Sequence, residues 1–260
     1  MRNGVKNIFR SILLFQNFHI YLLDYARLIK KSYQLRFRNG LKLILRGKTN
    51  DKSMVREIFL SKDYFRGAVK ISDGDIVCDV GANIGFFTLF AATQYPTSKV
   101  FSFEPNQENF EIFTRSIELN GVMNVVAVNT ALGNEKGTFK LYHSHNTGGH
   151  SLVNQSQFME RNKLEMHDFE EVKVESFRDF FNASGINRID FLKMDIEGGE
   201  YDILLNLKDS DYKKIGKIAM EYHFVDSKRN GEVLKELFIN HGYTVEMHYP
   251  MLWAIRNELL

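Results

Sequence analysis

Residues 76–88 read Ile76-Val77-Cys78-Asp79-Val80-Gly81-Ala82-Asn83-Ile84-Gly85-Phe86-Phe87-Thr88. An apolar run ends in an acid and a glycine turn, and apolar residues at helical spacing follow as far as Gln94. This order predicts a strand, a tight turn and a helix. Gly81 can adopt a positive φ, which lets backbone N–H groups approach a ligand, and the start of the helix favours an anion such as a carboxylate.

The spacing of the glycines distinguishes two classes of cofactor. A dinucleotide turn has the order Gly-x-Gly-x-x-Gly, whereas Asp79, Gly81 and Gly85 give Asp-x-Gly-x-x-x-Gly, which argues against a pyrophosphate. A second predicted strand, Lys99–Phe103, leads into Glu104, at the position where an acid binds a ribose diol. With Asp79 accepting from an amine and the turn holding a carboxylate, these residues indicate S-adenosylmethionine. The alternative is a glycine turn that is only a tight connection.

The composition favours one substantial core. The chain has 260 residues and is 44% hydrophobic, which suits one large domain with an extension. Its single cysteine, Cys78, lies in the first predicted strand without an intramolecular partner, so we expect a reducing, cytoplasmic compartment. We expect no signal peptide and no membrane span, because the apolar runs Ile12–Phe15 and Ile20–Leu23 fall short of the roughly 18 residues needed.

The net charge of +2 conceals an asymmetry along the chain. Residues 1–48 contain eleven Lys and Arg against the single acid Asp24, a charge of +10 that leaves −8 for the remainder. This split predicts a basic arm that contacts an anionic surface, either the inner face of a membrane or a partner. The alternative is a solvated helix face whose apolar stripe packs on the core. The oligomeric state is not predicted.

The first third of the chain reads as helices followed by a hairpin. Apolar residues three and four apart from Val5 to Lys31 predict one or two helices. Alternation from Leu35 to Leu45 around Asn39-Gly40 predicts a β-hairpin. Asp51 is a candidate N-cap for a helix over Lys52–Leu60.

Strands and helices alternate through the rest of the chain. The further predicted elements are a helix at Glu108–Leu119, strands at Val125–Val128 and Thr138–His143, a helix at Glu175–Phe181, a strand at Ile189–Met194, a helix reaching about Leu207, a strand at Ile218–Tyr222, a helix at Gly231–Ile239, and closing strands at Tyr243–Tyr249 and Trp253–Arg256. This alternation predicts a mostly parallel sheet covered on both faces and finished by an antiparallel hairpin. The polar segment Ser144–Asp168 is interpreted as an insertion or lid.

Acids occupy the carboxyl ends of four of the predicted strands, at the sheet edge where open α/β sheets bind ligands. Asp79 and Glu104 are assigned to the cofactor, and Asp195 and Glu221, with His223, are assigned to the acceptor as catalytic residues. A methyl group leaves a sulfonium by in-line displacement, so the acceptor must be held close and aligned. A hydroxyl acceptor must also lose its proton, for which His223 or Asp195 is the candidate base.

Each acceptor-side assignment has a structural alternative. The alternative for Asp195 is that it only caps the helix beside it, and the alternative for Glu221 and His223 is that they form a structural pair. The loop histidines His143, His145 and His150 lack zinc spacing, so no metal is expected. A magnesium ion held by Asp195 and Glu221 stays an alternative, because oxygen ligands suit that ion.

Four blocks of the sequence, in this order, resemble the FkbM family of S-adenosylmethionine-dependent methyltransferases. The blocks are Asp79–Gly85, Phe103–Asn106 with Asn109-Phe110, Asp190–Glu200, and Glu221–His223. The resemblance covers about residues 51–257. It implies an α/β, Rossmann-like class I methyltransferase fold with a seven-stranded, mostly parallel sheet and a C-terminal antiparallel hairpin. It also implies, as the usual reaction, O-methylation of a sugar, polyketide or similar hydroxyl.

The resemblance also assigns the cofactor-binding residues, with the adenine near Thr130–Gly133. They are Asp79, Gly81, Ala82, Asn83, Gly85, Glu104, Pro105, Asn106, Ala131, Leu132 and Asp195. The expected domains are a basic helical arm and β-hairpin at 1–50 and a methyltransferase domain at 51–260, with the insertion at about 144–168. Residues 1–50 and the insertion lie outside the shared blocks, and we expect them to choose the acceptor.

The expected function is therefore O-methylation of a hydroxyl on a glycan, glycolipid or similar small molecule. N- or C-methylation and a non-catalytic binding module are the alternatives. No Asn-Pro-Pro-Tyr type block, which amine methylases of nucleic acids and proteins often show, occurs in the sequence, and no nucleic-acid partner is expected.

Overall fold

The computed structural model describes residues 2–144, 150–152 and 166–260. The described strands are β1 Tyr33–Arg36, β2 Lys42–Leu45, β3 Ile76–Val80, β4 Lys99–Phe103, β5 Val125–Val128, β6 Ala131–Gly133, β7 Gly137–Ser144, β8 Met166–Ser176, β9 Ile189–Met194, β10 Ile215–Glu221, β11 Tyr243–His248 and β12 Met251–Arg256. The described helices are α1 Arg2–Leu14, α2 Phe18–Tyr25, α3 Asp51–Val55, α4 Phe86–Gln94, α5 Gln107–Asn120, α6 Phe177–Ala183, α7 Glu200–Leu204, α8 Asp209–Tyr212 and α9 Gly231–Asn240. A π-helical turn, Arg56–Ser61, continues α3, and a 3-10 turn, Asn257–Leu259, follows β12.

The central sheet has seven strands in the order β11-β12-β10-β9-β3-β4-β5. The strands β10, β9, β3, β4 and β5 are parallel to one another, and β12, which pairs antiparallel with β10, forms the antiparallel hairpin at one edge with β11. The predicted mostly parallel sheet with a closing antiparallel hairpin is confirmed. Because neighbouring parallel strands end at the same edge, the residues after β3, β4, β9 and β10 meet there.

Alternating residues of the inner strands fill a hydrophobic core on each face of the sheet. Val77 and Phe191 belong to one core, and Cys78 and Leu192 belong to the other. Such strands are buried on both faces, which explains why their sequences are nearly continuous apolar runs. No described helix is long and apolar enough to cross a bilayer.

The N-terminal extension shares one of these cores. Phe15 and Leu43 are fully buried in the same cluster as Phe87 of α4 and Phe191 of β9. The predicted helices and hairpin are confirmed, with Tyr33 of β1 opposite Leu45 of β2. The arm is therefore packed against the sheet domain through its apolar side chains.

The helix after the hairpin differs from its prediction at both ends. Asp51 was predicted as the N-cap, but α3 begins at Asp51 and is preceded by Asn50, which makes no side-chain cap. The Asp51 carboxylate accepts instead from the guanidinium of Arg46, at 3.0 Å to each oxygen, because that buried cation has to be neutralised. The second half of the predicted helix, Arg56–Ser61, is π-helical.

A second sheet of three strands, in the order β6-β8-β7, flanks the cofactor edge. The helix predicted at Glu175–Phe181 begins later, at Phe177, because β8 extends to Ser176, whose hydroxyl accepts from the Asp179 amide to cap α6. Most of the predicted insertion, residues 145–149 and 153–165, lies outside the described residues. Ser151 pairs with Tyr142 of β7, which fixes residues 150–152 against the domain.

Candidate active site

A cavity of about 510 Å³ opens where β3, β4, β9 and β10 end. One half is lined by the glycine turn after β3, the residues after β4 and the β6 strand. The other half is lined by the residues after β9 and β10, together with residues of α3, the π-helical turn and Tyr64. We call these the cofactor half and the acceptor half.

The glycine turn requires glycine at two positions for different reasons. Gly81 has φ +81°, and a Cβ there would lie 2.0 Å from the carbonyl oxygen of Asp195. Gly85 has φ +83°, and a Cβ there would lie 2.0 Å from the ring of Phe113. Gly81 therefore lets the β3 turn approach the β9 turn, whereas Gly85 lets α4 pack against α5.

Glu104 closes the cofactor half. Its carboxylate accepts from the backbone amide of Asn83 at 2.7 Å and from that of Asn106 at 3.0 Å. Burial raises the pKa of Glu104 to about 7, although the two amides oppose the rise. The predicted residues that line this half beside it are Ala82, Asn83, Pro105, Ala131 and Leu132.

Three predicted cofactor residues lie behind the cavity wall. Asp79 is fully buried, with Oδ1 3.2 Å from Nζ of Lys193 and Oδ2 accepting from the Thr88 hydroxyl at 2.7 Å. The side-chain oxygen of Asn106 caps α5. Gly85 likewise does not line the cavity. Their contact with a cofactor stays a prediction.

Lys193, in β9, contacts the glycine turn and was not predicted as a site residue from the sequence. Its Nζ donates to the carbonyl of Gly81 at 2.6 Å and pairs with Asp79. Burial lowers the pKa of Lys193, but the carboxylates of Asp79 and Asp195 outweigh it, and the net shift is upward. A lysine inside an otherwise apolar strand was the sequence signal for this role.

His223 is held between two carboxylates. Its Nε2 lies 3.1 Å from Glu197, its Nδ1 lies 3.1 Å from Glu200, and Glu221 is more distant, at 3.9 Å. Burial lowers the pKa of His223, but the two near carboxylates raise it well above its usual value. A protonated imidazole cannot accept a proton, so this geometry does not favour the predicted base role. The expected Glu221–His223 pair is the weakest of the three contacts.

Asp195 lies on the wall of the acceptor half. Its Oδ2 accepts from the hydroxyl of Tyr64 at 3.1 Å. The alternative that Asp195 caps the next helix is wrong, because α7 begins at Glu200 after Gly199 and has no side-chain cap. Tyr64 was not predicted, since it lies far away in the sequence and follows no motif.

Carboxyl groups dominate the acceptor half. Burial, followed by repulsion from Asp195, raises the pKa of Glu221 to about 9, so this side chain is protonated at neutral pH. Burial also raises the pKa of Glu57, in the π-helical turn, to about 7. π-Helical turns occur frequently at functional sites, but no sequence period announces them.

Comparison with known proteins identifies the family. The sequence profile described as "Methyltransferase FkbM domain" matches residues 79–245. The chain belongs to the FkbM methyltransferase family. It is 31% identical to "Methyltransferase 1" of Beauveria bassiana, over 76% of this chain and 83% of that protein. It is 29% identical to "31-O-demethyl-FK506 methyltransferase FkbM" of Streptomyces tacrolimicus, over 85% of this chain and 92% of that protein.

Solved structures of methyltransferases align with much of the chain. A precorrin-6y C5,15-methyltransferase of Geobacter metallireducens aligns with 82% of this chain and 92% of its own, with a TM-score of 0.47 and 15% identity. The order and directions of the seven strands, together with the family match, give this FkbM methyltransferase the Rossmann-like class I methyltransferase fold.

The described part of the FkbM domain contains one group of side chains with the spacing of metal ligands, Asp195, Glu197 and His223. It differs from the pair considered from the sequence, Asp195 and Glu221. Of the loop histidines, His150 lines the cavity and burial lowers its pKa to about 4, whereas His145 lies outside the described residues.

Proposed function

We propose that this FkbM methyltransferase transfers the methyl group of S-adenosylmethionine to a hydroxyl of a glycan, glycolipid or similar small molecule. The observation that carries the proposal is one cavity in which a glycine turn and a buried acid face a carboxyl-rich wall. In the reaction the sulfur–methyl bond breaks, an oxygen–methyl bond forms, and the hydroxyl proton passes to a carboxylate.

The cofactor half fits the parts of S-adenosylmethionine. The turn at Gly81–Asn83 offers close backbone approach, which suits the methionine carboxylate. Glu104 lines the cavity, and its carboxylate is the group that we propose accepts from both ribose hydroxyls. Ala131 and Leu132 supply an apolar wall for the adenine.

The acceptor half supplies a proton acceptor without histidine. Asp195, held by the Tyr64 hydroxyl, is the base that we propose from the sequence and the geometry together. Glu57 is the second candidate, because a pKa of about 7 suits a base that works near neutral pH. Without a bound ion, Glu221 and His223 hold protons, so neither is the proposed base.

The charge of the acceptor half restricts the acceptor. Four carboxyl groups, those of Glu57, Asp195, Glu197 and Glu221, line it, and those that are ionised would repel an anionic group close to the reacting atom. This supports a neutral polyhydroxyl acceptor rather than nucleic acid. The name of the Streptomyces relative, 31-O-demethyl-FK506 methyltransferase, describes an acceptor that lacks a methyl group on oxygen. An amine acceptor is the second candidate, because carboxylates also attract ammonium groups.

Two measurements test the proposal. We expect calorimetry of the full chain to detect S-adenosylhomocysteine and not NAD, and the reverse result would overturn the cofactor assignment. We expect tritiated methyl transfer from S-adenosylmethionine to label glycan or glycolipid fractions of a cell-envelope extract. Label found only in protein or nucleic acid would reject the hydroxyl acceptor.

We also infer that residues 1–48 bring the enzyme to an anionic membrane on its cytoplasmic side. Of sixteen exposed large apolar side chains described, seven lie between residues 8 and 28: Ile8, Phe9, Leu13, Leu14, Leu23, Tyr25 and Leu28. Exposed basic residues, including Arg27, Lys30 and Lys31, lie in the same part of the sequence. Exposed apolar side chains accompanied by cations suit the interface of an anionic bilayer.

A further inference from the structure

Three side chains with metal-binding atoms converge in the acceptor half. Asp195 and Glu197 follow β9, and His223 follows the neighbouring strand β10. One ligand atom from each lies within 4.8 Å of the other two, and Nε2 of His223 is 3.1 Å from Oε2 of Glu197. In octahedral coordination with bonds of about 2.1 Å, adjacent ligand atoms lie about 3 Å apart. The nitrogen and the carboxylate oxygen already have this separation.

The second nitrogen of the histidine has the partner that metal-binding histidines require. Nδ1 of His223 is 3.1 Å from Oε1 of Glu200, a side chain with no exposed surface. The same oxygen accepts from the amide of Ile196 at 3.2 Å, which fixes its position. A metal-ligating histidine almost always donates its other N–H to a carboxylate or carbonyl, which leaves Nε2 for the ion. The buried carboxylate is thus an observation independent of the acids that line the cavity.

The two acids are also held in position. The hydroxyl of Tyr64 donates to Oδ2 of Asp195. Glu197 has φ +51° and precedes Gly198 with φ +97°, a tight turn that returns its side chain toward His223. The hydroxyl of Ser151 donates to the backbone carbonyl of Glu197 at 2.5 Å and anchors that turn. Ligand orientation therefore comes from contacts outside the three ligands.

We propose that Asp195, Glu197 and His223 bind one divalent cation in the acceptor half. One imidazole and two carboxylates suit a first-row ion such as Mn²⁺, and three protein ligands leave coordination positions for oxygens of the acceptor. A structural zinc site would need a fourth protein ligand. The role of the ion in methyl transfer rests on the proposed function: it would bind the acceptor hydroxyl, and Glu57 would take the proton because Asp195 would then be a ligand.

Titration of the full chain with Mn²⁺, followed by electron paramagnetic resonance of the free aqua ion, tests the site directly. The chain is first treated with a chelator to remove bound metal, and we then expect it to bind one Mn²⁺ ion. Glu197→Gln and His223→Gln should each weaken binding at least tenfold, because each removes a ligand. Glu246→Gln, a control whose exposed side chain lies in strand β11, should leave Mn²⁺ binding unchanged. Equal Mn²⁺ binding by the wild type and both ligand variants would overturn the proposal.

Two further measurements keep the result interpretable. Glu221→Gln should leave Mn²⁺ affinity within threefold, and a tenfold loss would replace the proposed triad by the Asp195–Glu221 pair. If His223→Gln does not fold, Glu197→Gln and Asp195→Asn carry the test, with S-adenosylhomocysteine affinity as the check of folding. Cofactor binding without Mn²⁺ binding rejects the ion alone, whereas Mn²⁺ binding without cofactor binding rejects the cofactor assignment.

Discussion

At the scale of single residues, the site depends on how closely two turns approach. The turn after β3 lies against the turn after β9, and Gly81 is the contact point. The backbone carbonyl of Asp195 lies where a Cβ of residue 81 would be, and the ammonium of Lys193 donates to the carbonyl of Gly81. The same contact sets both halves of the cavity, because Gly81 belongs to the cofactor half and Asp195 to the acceptor half. Displacing one of them must displace the other.

A pair of glycine variants measures this contact. Gly81→Ala and Gly74→Ala both place alanine at a φ near +80°, but only the Gly81 variant brings a Cβ within 2.0 Å of the Asp195 carbonyl, since nothing lies within 4 Å of Gly74. Both should lose about 1 kcal/mol of unfolding free energy from the backbone. We expect only Gly81→Ala to weaken S-adenosylhomocysteine binding by tenfold or more in calorimetry. Equal affinities of the two variants would show that the close approach is unimportant.

The protonated carboxyl of Glu221 makes stability depend on pH. Its folded-state pKa of about 9 exceeds its ordinary value of 4.5, so the folded state binds more protons between these values. The contribution of Glu221 to the unfolding free energy is complete below pH 4.5 and is lost as pH rises through about 9. Urea unfolding between pH 6 and 9 should therefore show stability falling by up to about 1 kcal/mol per pH unit. Glu221→Gln should flatten the fall, and exposed Glu232→Gln should not; identical slopes would refute the assignment.

At the scale of elements, short-range sequence patterns predicted most boundaries of helices and strands. The predictions failed where tertiary contacts decide the boundary. The hairpin at Asn39-Gly40 was predictable because the turn chemistry is local. The role of Asp51 was not predictable, because a short carboxylate before an apolar run serves equally as a helix cap or as the partner of a buried arginine. The π-helical turn at Arg56–Ser61 buries three successive residues, Ile58–Leu60, and no helical or strand period encodes that pattern.

The Arg46–Asp51 pair links three elements. Arg46 follows β2, Asp51 begins α3, and a third guanidinium contact reaches Asn109 of α5 at 2.9 Å. Asp51→Asn should lower the unfolding free energy by about 3–5 kcal/mol, because it leaves a buried cation without its counter-charge. Arg46→Met with Asp51→Leu should recover most of that loss. Arg66 forms an exposed ion pair with Glu246, and the control variant Arg66→Met should lower the unfolding free energy by less than about 1 kcal/mol. Urea unfolding measures the free energy of each variant. A smaller loss for Asp51→Asn than for Arg66→Met would contradict the role of the Arg46–Asp51 pair.

At the scale of the whole molecule, strand order explains why the site was partly predictable. The carboxyl ends of β3, β4, β9 and β10 meet at one edge because these strands are parallel neighbours, so the sequence alone could place Glu104, Asp195 and Glu221 at that edge. The partners of His223 were not, because Glu197 and Glu200 reach it only after two separate turns converge. Asp79 was assigned to the cofactor on the same logic, but Lys193 occupies its carboxylate, and a strand pattern does not reveal which neighbour neutralises a buried charge.

The arm adds a surface to this molecule without being separable from it. Its residues Phe15 and Leu43 are in the core shared with the sheet, so deleting residues 1–48 would expose that core and could not report on membrane binding. Not every cation of the arm faces outward either, since Arg46 is buried against Asp51 and Arg10 donates to the carbonyl of Leu60. Point variants of exposed side chains are therefore the suitable probes.

Sedimentation with lipid vesicles tests the proposed membrane contact. We expect the full chain to bind vesicles of phosphatidylcholine mixed with phosphatidylglycerol at low salt, to dissociate at high salt, and to ignore phosphatidylcholine alone. Each lysine or arginine near such a surface contributes about 1 kcal/mol, so Lys30→Gln with Lys31→Gln should reduce binding at least tenfold.

Removing exposed apolar side chains of the arm separates their contribution to vesicle binding from that of charge attraction. Phe9 and Leu13 lie one turn apart on α1 and are 65% and 71% exposed. The double variant Phe9→Ser, Leu13→Ser should also reduce vesicle binding at least tenfold, because both side chains would lose their apolar contact with the interface. Met123→Ser removes a side chain that is 92% exposed outside the arm and should leave binding unchanged. If the arm variant instead converts a dimer to a monomer in light scattering and the wild type stays in the supernatant, the exposed face is a subunit contact and the membrane proposal is wrong.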